Sequence, residues 1–428
     1  MLPRPLCENL CSLNPSEDRL CFSVEWKMNE RGEILSEWFG RTVIRSCAKL
    51  AYEHAQSMID DPERVWTTQE LPPITEGFTA HQLSEKVNML QLLAVKLRGK
   101  REANGALRLD QPKLCFSLNK ETGLPDGYRL HQHRHSNKLI EEFMLLANMA
   151  VAHKLFKTFP DLAVLRRHPP PKPAMMEGVV EQMATLGIIL DSSSSLGLAR
   201  SLDRLRQVEG LSEAEHASRL ACVTSLLSKP MELARYFCTG MFDPGEFHHF
   251  ALNVPLYTHF TSPIRRYPDI LVHRLLDAAI TGRSLPWRCD QVQLQTERCN
   301  DMRLAAKRVG EASAELFLGL FVAECGPITQ PATVIQVMDH SMDVLILEMG
   351  VVKRVYVDRL GVSKQTFRRV GGVSFLDLVW GEGRDKVART ITLLSRVTVV
   401  LEKSEKPFDF TAVIETPQVG SAEEVTLD

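Results

Sequence analysis

The segment from Tyr257 to Asp269 holds the densest group of side chains that could bind or polarise a ligand. It reads Y-T-H-F-T-S-P-I-R-R-Y-P-D, with Arg265 and Arg266 side by side. Its prolines suit the first turn of a helix and Ser262 suits an N-cap, so we expect a helix to begin here. Two guanidinium groups beside the unpaired N–H groups of a helix start would bind an anion such as a phosphate. The alternative is structural: the arginines pair with a carboxylate such as Asp269 and hold a turn.

A second basic group lies near the C-terminus and includes aromatic residues. Cations that follow a nucleic-acid backbone, beside rings on which bases stack, suit single-stranded RNA. A merely solvated surface has the same composition, and this alternative stays open. The cations are Lys353, Arg354, Arg359, Lys364, Arg368 and Arg369, and the rings are Tyr356 and Phe367.

Three histidines, His131, His133 and His135, alternate on a predicted strand. We interpret them as part of a basic edge, because no cysteine or carboxylate completes the tetrahedral set that zinc requires. The sequence therefore predicts no metal ligands in this chain.

Local patterns predict the elements that must position these groups. Two hairpins are expected, from strands at 20–26 and 34–44 and from strands at 112–118 and 127–133. Apolar residues at three- and four-residue spacing predict helices at 48–59, 81–97, 137–157, 175–186, 201–207, 213–227 and 298–324. The predicted fold class is α+β, a mixed sheet with many helices.

The clearest domain boundary lies at Gly326-Pro327, where short alternating strands replace helices. Strands are predicted at 332–338, 342–348, 351–357, 375–379 and 397–401, the number found in a five-stranded OB-type barrel. The predicted domains are therefore 1–325, 326–415 and a disordered acidic tail, 416–428. We expect residues 1–325 to fold without the barrel, because few contacts normally cross such a linker.

The composition excludes several classes of protein. The 428 residues exceed what a single core accommodates, so two or three domains are expected. Hydrophobic residues at 44% and charged residues at 24% exclude a disordered, collagen-like or coiled-coil chain. The net charge of -2 excludes a global basic field, so any polyanion site must be a local patch. No apolar run is long enough to cross a bilayer, and the ten scattered cysteines indicate a reduced, intracellular chain.

The segment from Tyr257 to Arg274 closely resembles the signature of the RNase II (RNB) family of 3′→5′ exoribonucleases, Y-x-H-F-T-S-P-I-R-R-Y-x-D-x-x-V-H-R. The resemblance extends to L-C-E-N-L-C-S-L-N-P at 6–15, R-S-C-A-K-L-A-Y at 45–52 and I-E-E-F-M-L-L-A-N at 140–148. It looks most like the eukaryotic cytoplasmic branch that works without the exosome, in which an S1 RNA-binding barrel follows the RNB domain. The resemblance therefore implies an incomplete RNB catalytic domain followed by an S1/OB five-stranded barrel.

The resemblance also implies roles for individual residues. Arg265 would contact the scissile phosphate and stabilise the charge that develops there, with Arg266 in support. Tyr52 resembles the aromatic residue that positions the 3′-terminal nucleotides, although a half-buried helix aromatic fits its pattern equally well. One of Glu141 and Glu142 resembles the carboxylate near the terminal ribose, where a 2′-OH can be read. Which glutamate it is stays open, and the alternative for both is a solvated helix face.

Enzymes of this family hydrolyse RNA with Mg²⁺ held by an aspartate cluster, D-x-x-x-x-x-D-x-D-D, upstream of the motif matched at 6–15. The chain begins too late to contain that cluster, so we expect a truncated gene model or a short isoform started at an internal methionine. Mg²⁺ is expected for the family, with its ligands not present in this chain.

Two functions follow from these patterns. The first is the carboxy-terminal part of a processive 3′→5′ exoribonuclease that degrades single-stranded RNA to nucleotides in cytoplasmic RNA turnover. The second is a catalytically silent RNA-binding fragment, because the metal-binding aspartates are absent. The expected partner is single-stranded RNA with a free 3′ end; no membrane and no exosome core are expected, and the oligomeric state is open.

Overall fold

The computed structural model describes residues 1–67, 69–381 and 386–416. Apart from residue 416, the tail predicted to be disordered lies outside these described residues.

Helices and short strands alternate over most of the described chain. The α-helices are α1 (Tyr52–Asp60), α2 (Ala80–Ala103), α3 (His135–Thr158), α4 (Pro173–Ala184), α5 (Ser195–Arg206), α6 (Glu213–Ser228), α7 (Tyr267–Thr281) and α8 (Cys289–Cys325). The strands are β1 (Asp18–Met28), β2 (Ile34–Arg45), β3 (Leu114–Leu118), β4 (Pro125–Leu130), β5 (Val164–Arg167), β6 (Arg235–Cys238), β7 (Ile328–Val337), β8 (Ser341–Ile346), β9 (Val351–Tyr356), β10 (Lys364–Val370), β11 (Val373–Trp380), β12 (Val387–Thr392), β13 (Arg396–Lys403) and β14 (Phe410–Ile414).

Local sequence explains where several helices begin. Thr79 caps α2, since its side chain accepts a hydrogen bond from the Gln82 N–H and the Gln82 side chain accepts one from the Thr79 N–H. Ser212 and Glu215 form the same reciprocal pair at the start of α6. Such pairs satisfy N–H groups that have no partner inside the helix.

The start of α7 differs from the prediction. Ser262 is not its N-cap, because residues 263–265 form a separate turn and the helix begins only at Tyr267. Arg266 occupies the N-cap position without a capping side-chain bond, and Pro268 lies within the first turn. Pro268 therefore lies in the first turn of the helix, where proline is tolerated, whereas Pro263 lies outside the helix.

Both predicted hairpins are confirmed, β1 with β2 and β3 with β4, each antiparallel. β5 and β6 form a further two-stranded antiparallel sheet. The α+β class is therefore confirmed, and the strands grouped by sequence into a mixed sheet lie in separate two-stranded sheets.

The chain divides into two compact units that cut across its linear order. The first contains residues 1–107, 132–169 and 233–304, and the second contains 108–131, 170–232 and 305–428. The core of the first unit is formed by apolar residues of α3, β5, β6 and α7, with β1 and β2 packed against it. Its largest fully buried side chains include Leu155, Leu165, Phe237 and Leu275.

The second unit contains the barrel. Five strands follow the order β14-β13-β7-β8-β9, and β14 also contacts β9, so the sheet nearly closes on itself as in an OB-type barrel. A three-stranded sheet, β10-β11-β12, accompanies it. The described residues from 328 onward thus hold eight strands where five were predicted, and the three that were missed are β10, β12 and β14. β10 and β12 lack a continuous apolar alternation, whereas β14 was missed although its buried residues alternate.

The barrel core also draws on residues before 326. Leu318, Phe321 and Val322 of α8 are buried in it, and Leu114 and Phe116 of β3 pack against it. The domain boundary predicted at residue 325 stays a prediction. The two compact units of the fold are divided at other positions, among them residues 304 and 305.

None of the described helices is long and apolar enough to span a membrane. All ten cysteines are free thiols.

Candidate nucleic-acid interface

Arg265 and Arg266 point to different partners. Arg266 donates from Nε and Nη2 to the two carboxylate oxygens of Asp269, at 2.9 and 2.8 Å. Arg265 is exposed, and its closest polar contact is a hydrogen bond of 3.4 Å from Nη2 to the Ser262 hydroxyl. Among the described residues no carboxylate lies within ion-pair distance of Arg265. Arg265 is thus available to a ligand, whereas Arg266 adopts the structural alternative that the sequence left open.

Asp269 is the anchor of this turn. Its side chain is fully buried, and besides Arg266 it accepts a hydrogen bond of 2.8 Å from the Ser262 N–H. A buried carboxylate is stable only when paired and hydrogen-bonded, and this one meets both conditions. The hydrogen bonds of Asp269 to Ser262 and Arg266 therefore fix the turn that carries Arg265.

Other residues of the signature segment have packing roles. Asn148 of α3 donates to the Tyr257 hydroxyl at 3.1 Å and accepts from the Phe260 N–H at 2.8 Å. The His273 ring stacks on Phe260, with centroids 4.5 Å apart, and its Nε2 contacts the Phe260 carbonyl at 2.8 Å. These contacts fix the path of residues 257–262 that leads to the arginine turn.

A buried histidine lies beside that path. The His259 Nδ1 is 2.5 Å from the Tyr236 hydroxyl, and the Arg166 guanidinium lies over the Tyr236 ring, 5.0 Å from its centroid. Burial, reinforced by the positive charges of Arg166, Arg266 and Arg303, holds the pKa of His259 far below its ordinary value. His259 is therefore a neutral imidazole among cations.

Tyr52 and the two glutamates lie on the helices that face this part of the first unit. Tyr52 is the first residue of α1 and is 45% exposed, so its ring is free to contact a base. Glu142 is only 3% exposed, and its carboxylate accepts hydrogen bonds from Arg98 and Arg101. Glu141 is partly exposed, 3.5 Å from the His133 Nε2. The solvated-face alternative is therefore wrong for Glu142, and Glu141 is the glutamate that a ligand can reach.

The predicted basic group of the barrel is partly neutralised. Lys353 pairs with Asp409 at 2.6 Å, Arg354 with Asp343 at 2.7 Å and Arg368 with Asp377 at 2.8 Å. Asp343 and Asp377 lie on the strands paired with those of their cations, β8 with β9 and β11 with β10, and Asp409 directly precedes β14. Arg369 has no ion-pair partner among the described residues and lines, with Phe367, a cavity of about 950 Å³. The RNA-binding role of this group stays a prediction, supported chiefly by Arg369.

The described residues do not form a site for Mg²⁺. No three His, Cys, Asp or Glu side chains in 1–67, 69–381 and 386–416 converge so that they could hold a metal ion. Catalytic Mg²⁺ is held by carboxylates, and those nearest Arg265 are engaged, as Asp269 is by Arg266. No step involving a metal is therefore derived from this chain.

Sequence reasoning missed Asn148, Arg166 and Arg303. Asn148 stands out as a polar residue within an apolar helix, which is a usable signal of a buried hydrogen-bonding role. Arg166 and Arg303 carry no such signal, because they lie 137 positions apart and meet only in the folded unit.

Comparison with known proteins assigns this fold and site to a class. The RNB domain family model matches residues 1–282, and the model of the DIS3-like exonuclease 2 C terminal matches residues 326–410. The chain belongs to the RNB family. Among curated proteins it is similar to DIS3-like exonuclease 2 of Xenopus tropicalis, 48% identical over 98% of this chain and 50% of that protein. DIS3-like exonuclease 2 of Caenorhabditis elegans is 46% identical over 94% of this chain and 47% of that protein. The chain thus spans about half the length of the curated relatives it matches.

Solved structures show the same fold. Mycoplasma genitalium RNase R in complex with ribose methylated single-stranded RNA aligns with a TM-score of 0.76 at 18% identity, over 97% of this chain and 60% of that one. Yeast Ssd1, a pseudonuclease, aligns with a TM-score of 0.76 at 21% identity, over 96% of this chain and 58% of that one. The RNB fold therefore occurs in an RNA-bound nuclease and in a pseudonuclease.

Proposed function

We propose that this chain is the carboxy-terminal part of a processive 3′→5′ exoribonuclease that degrades single-stranded RNA to nucleotides in cytoplasmic RNA turnover. The observation that carries the proposal is the pair of adjacent arginines, one paired with Asp269 and the other exposed, with no carboxylate partner among the described residues. The similarity to DIS3-like exonuclease 2 and the single-stranded RNA bound by an RNase R of the same fold support it.

Each residue of the site has a task in that reaction. Arg265 neutralises charge that develops on the displaced phosphate, while the Arg266–Asp269 pair keeps its turn in place. The Tyr52 ring stacks on a base near the 3′ end, and Glu141 accepts a hydrogen bond from a 2′-OH. Magnesium is proposed for the whole enzyme, with its ligands supplied by residues other than those described.

A second candidate is a catalytically silent RNA-binding chain. It is favoured by the absence of a carboxylate cluster among the described residues and by the pseudonuclease that shares the fold. The candidates are separated in a protein of the length of the curated relatives, which shortens single-stranded RNA only if the first is right. Incubating the present chain with Mg²⁺ and a 5′-labelled single-stranded RNA tests instead whether its own residues are sufficient for hydrolysis. We expect binding without shortening of the RNA; stepwise shortening from the 3′ end, abolished by a chelator, would show that this chain is itself the nuclease.

The exonuclease proposal is tested through Arg265 in a protein of the length of the curated relatives. Arg265→Ala should lower the cleavage rate roughly 100-fold, equivalent to about 3 kcal/mol, because the guanidinium acts mainly when charge develops. Affinity for RNA should fall much less. Single-turnover cleavage and equilibrium binding measure the two effects.

Arg283→Ala serves as the matched control, since it removes an exposed arginine just beyond the other end of α7. Equal losses of rate and affinity for Arg265→Ala would make that residue a plain binding group. If Arg265→Ala lowered neither the cleavage rate nor the RNA affinity, the role proposed for Arg265 would be wrong.

A further inference from the structure

Arg166 is a buried cation without an acidic partner. It is 6% exposed, and no carboxylate within the described part of the chain lies within ion-pair distance of it. Its guanidinium lies over the Tyr236 ring, 5.0 Å from the centroid, a contact that does not neutralise its charge. Buried charges in proteins are almost always paired, so this arginine requires an anion.

Arg303 lies beside the same tyrosine. Asn300 of α8 bonds to both backbone groups of Tyr236, accepting from its N–H at 2.8 Å and donating to its carbonyl at 2.9 Å. Arg303, nearly one turn further along α8, donates from Nη1 to the Ala234 carbonyl at 2.7 Å. It too has no carboxylate partner among the described residues, and its partial burial beside Arg166 lowers its pKa.

His259 completes the cluster with a neutral donor. The Tyr236 hydroxyl lies 2.5 Å from the His259 Nδ1. In the tautomer in which the hydroxyl donates to Nδ1, the neutral imidazole keeps its proton on Nε2 and can donate it to a ligand. The nearby acid, Asp269, is fully used by Arg266 and Ser262.

We propose that Arg166, Arg303 and the His259 Nε2–H form a second phosphate subsite, which binds a backbone phosphate of RNA other than the one Arg265 contacts. Arg166 and Arg303 are fixed by Tyr236 and Ala234, so they meet the anion already oriented. A phosphate offers several acceptor oxygens and a negative charge, which matches two guanidinium groups and one N–H donor. The RNA assignment rests on the proposed function, whereas the anion site does not.

The anion site is tested first on the full 428-residue chain, without RNA. Replacing chloride by inorganic phosphate at constant ionic strength should raise the unfolding midpoint of the wild type, because an anion that binds only the folded state stabilises it. Arg166→Gln and Arg303→Gln should abolish that rise, and Arg166→Gln should by itself raise the midpoint in chloride. A merely structural Arg166 predicts the opposite, a lower midpoint in chloride and an unchanged response to phosphate.

The RNA assignment is tested by binding a fluorescent 12-nucleotide single-stranded RNA over a range of salt concentrations. Arg166→Gln and Arg303→Gln should each weaken binding about tenfold and lower the slope of log K against log salt by about 0.7. The matched control is Arg288→Gln, which removes a guanidinium that is exposed and paired with Asp290, and it should change affinity less than twofold.

The outcomes separate this inference from the proposed function. Unchanged RNA affinity and salt dependence for the Arg166 and Arg303 variants, with cleavage by the longer protein still slowed by Arg265→Ala, overturns the subsite and leaves the exonuclease proposal standing. A phosphate response without an effect on RNA binding overturns the RNA assignment. Reduced RNA binding by both variants supports the subsite even if the longer protein cleaves no RNA.

Discussion

Arg265 and Arg266 are neighbours of the same residue type, yet the structure gives them different surroundings. The difference comes from Asp269, three residues after Arg266, which lies in the first turn of α7 and accepts two hydrogen bonds from Arg266. Arg265 projects from the turn before the helix and keeps its donors for a ligand. At the scale of single residues, the chemistry of this site depends on which arginine is already paired with a carboxylate: Arg266 is paired with Asp269.

Asp269→Ala should destabilise the first unit by about 3 kcal/mol, because it leaves Arg266 and the Ser262 N–H without their partner. Chemical denaturation followed by fluorescence would measure the loss. Asp290→Ala, which removes an exposed partner of Arg288, should destabilise the chain far less than Asp269→Ala does. Equal effects for the two variants would mean that the buried pair does not hold the turn.

His249 should make stability sensitive to acid. Its ring is buried beside His168, and burial, followed by the neighbouring positive groups, lowers its pKa to about 3. In the unfolded chain the His249 imidazole binds a proton near pH 6.5, whereas in the folded chain it stays neutral until about pH 3. The stability linked to His249 is therefore fully present above pH 6.5 and is lost as the pH falls toward 3, at about 1.4 kcal/mol per pH unit.

Comparing denaturation from pH 7 to pH 4 for the wild type and His249→Gln tests this linkage. The variant should lose stability less steeply by about that amount per pH unit between roughly pH 6 and pH 4. His81→Gln, at an exposed site of α2, is the control for the loss of an imidazole. Parallel curves for the wild type and His249→Gln would contradict the prediction.

At the scale of elements, two glycines of α8 lie in different surroundings. Gly310 has open space around its Cα, whereas a Cβ on Gly319 would come within 2.1 Å of the Phe408 carbonyl oxygen. Both glycines reduce helix propensity in the same way. Only Gly319 is required by packing, because the backbone at Phe408, between β13 and β14, approaches the helix there.

Gly310→Ala should therefore stabilise the chain by up to about 1 kcal/mol, the difference in helix propensity between the two residues. Gly319→Ala should destabilise it by about 1–3 kcal/mol, because a backbone atom must move to admit the methyl group. Thermal or urea denaturation of the two variants measures the contrast. Stabilisation by both would show that α8 does not pack closely on residue 408.

At the scale of the whole molecule, the second compact unit is assembled from three separate stretches of chain. Phe116 of β3 stacks on Phe317 of α8, with ring centroids 6.1 Å apart, and Tyr128 of β4 packs edge-on against Phe321 at 5.4 Å. Both phenylalanines precede the boundary at residue 325. Leu318, Phe321 and Val322 are buried in the core that the barrel strands complete, so removal of the barrel would uncover part of this helix. The expectation that residues 1–325 fold independently of the barrel stays a prediction.

A chain that ends at residue 325 should expose these aromatic rings and be cleaved rapidly within 108–131 and 170–232, because their core partners in the barrel are missing. Limited proteolysis followed by mass spectrometry would locate the cuts. A chain that ends at residue 416 keeps every described core residue and should resist cleavage as the full chain does. Equal resistance of the 325-residue chain would restore the sequence boundary as a folding boundary.

The sequence by itself determined the features that depend on neighbouring residues. The β1–β2 hairpin, the approximate positions of α2, α3 and α6 and the family signature from Tyr257 to Arg274 all follow from local periodicity, capping pairs and spacing. Helix and hairpin formation involves contacts a few residues apart, so their signals can be read along the chain. The same reasoning located Arg265.

Only the tertiary structure decided which charges are already neutralised. Glu142 meets Arg98 and Arg101 from α2, and Lys353 meets Asp409. Arg166 lies near Arg303, and no carboxylate of the described residues is within ion-pair distance of either. These partners are separated by 41 or more positions in the sequence, and ion pairing depends on distance in space. For that reason the composition of a basic group predicts a binding surface poorly, and the fold determines which cations remain for RNA.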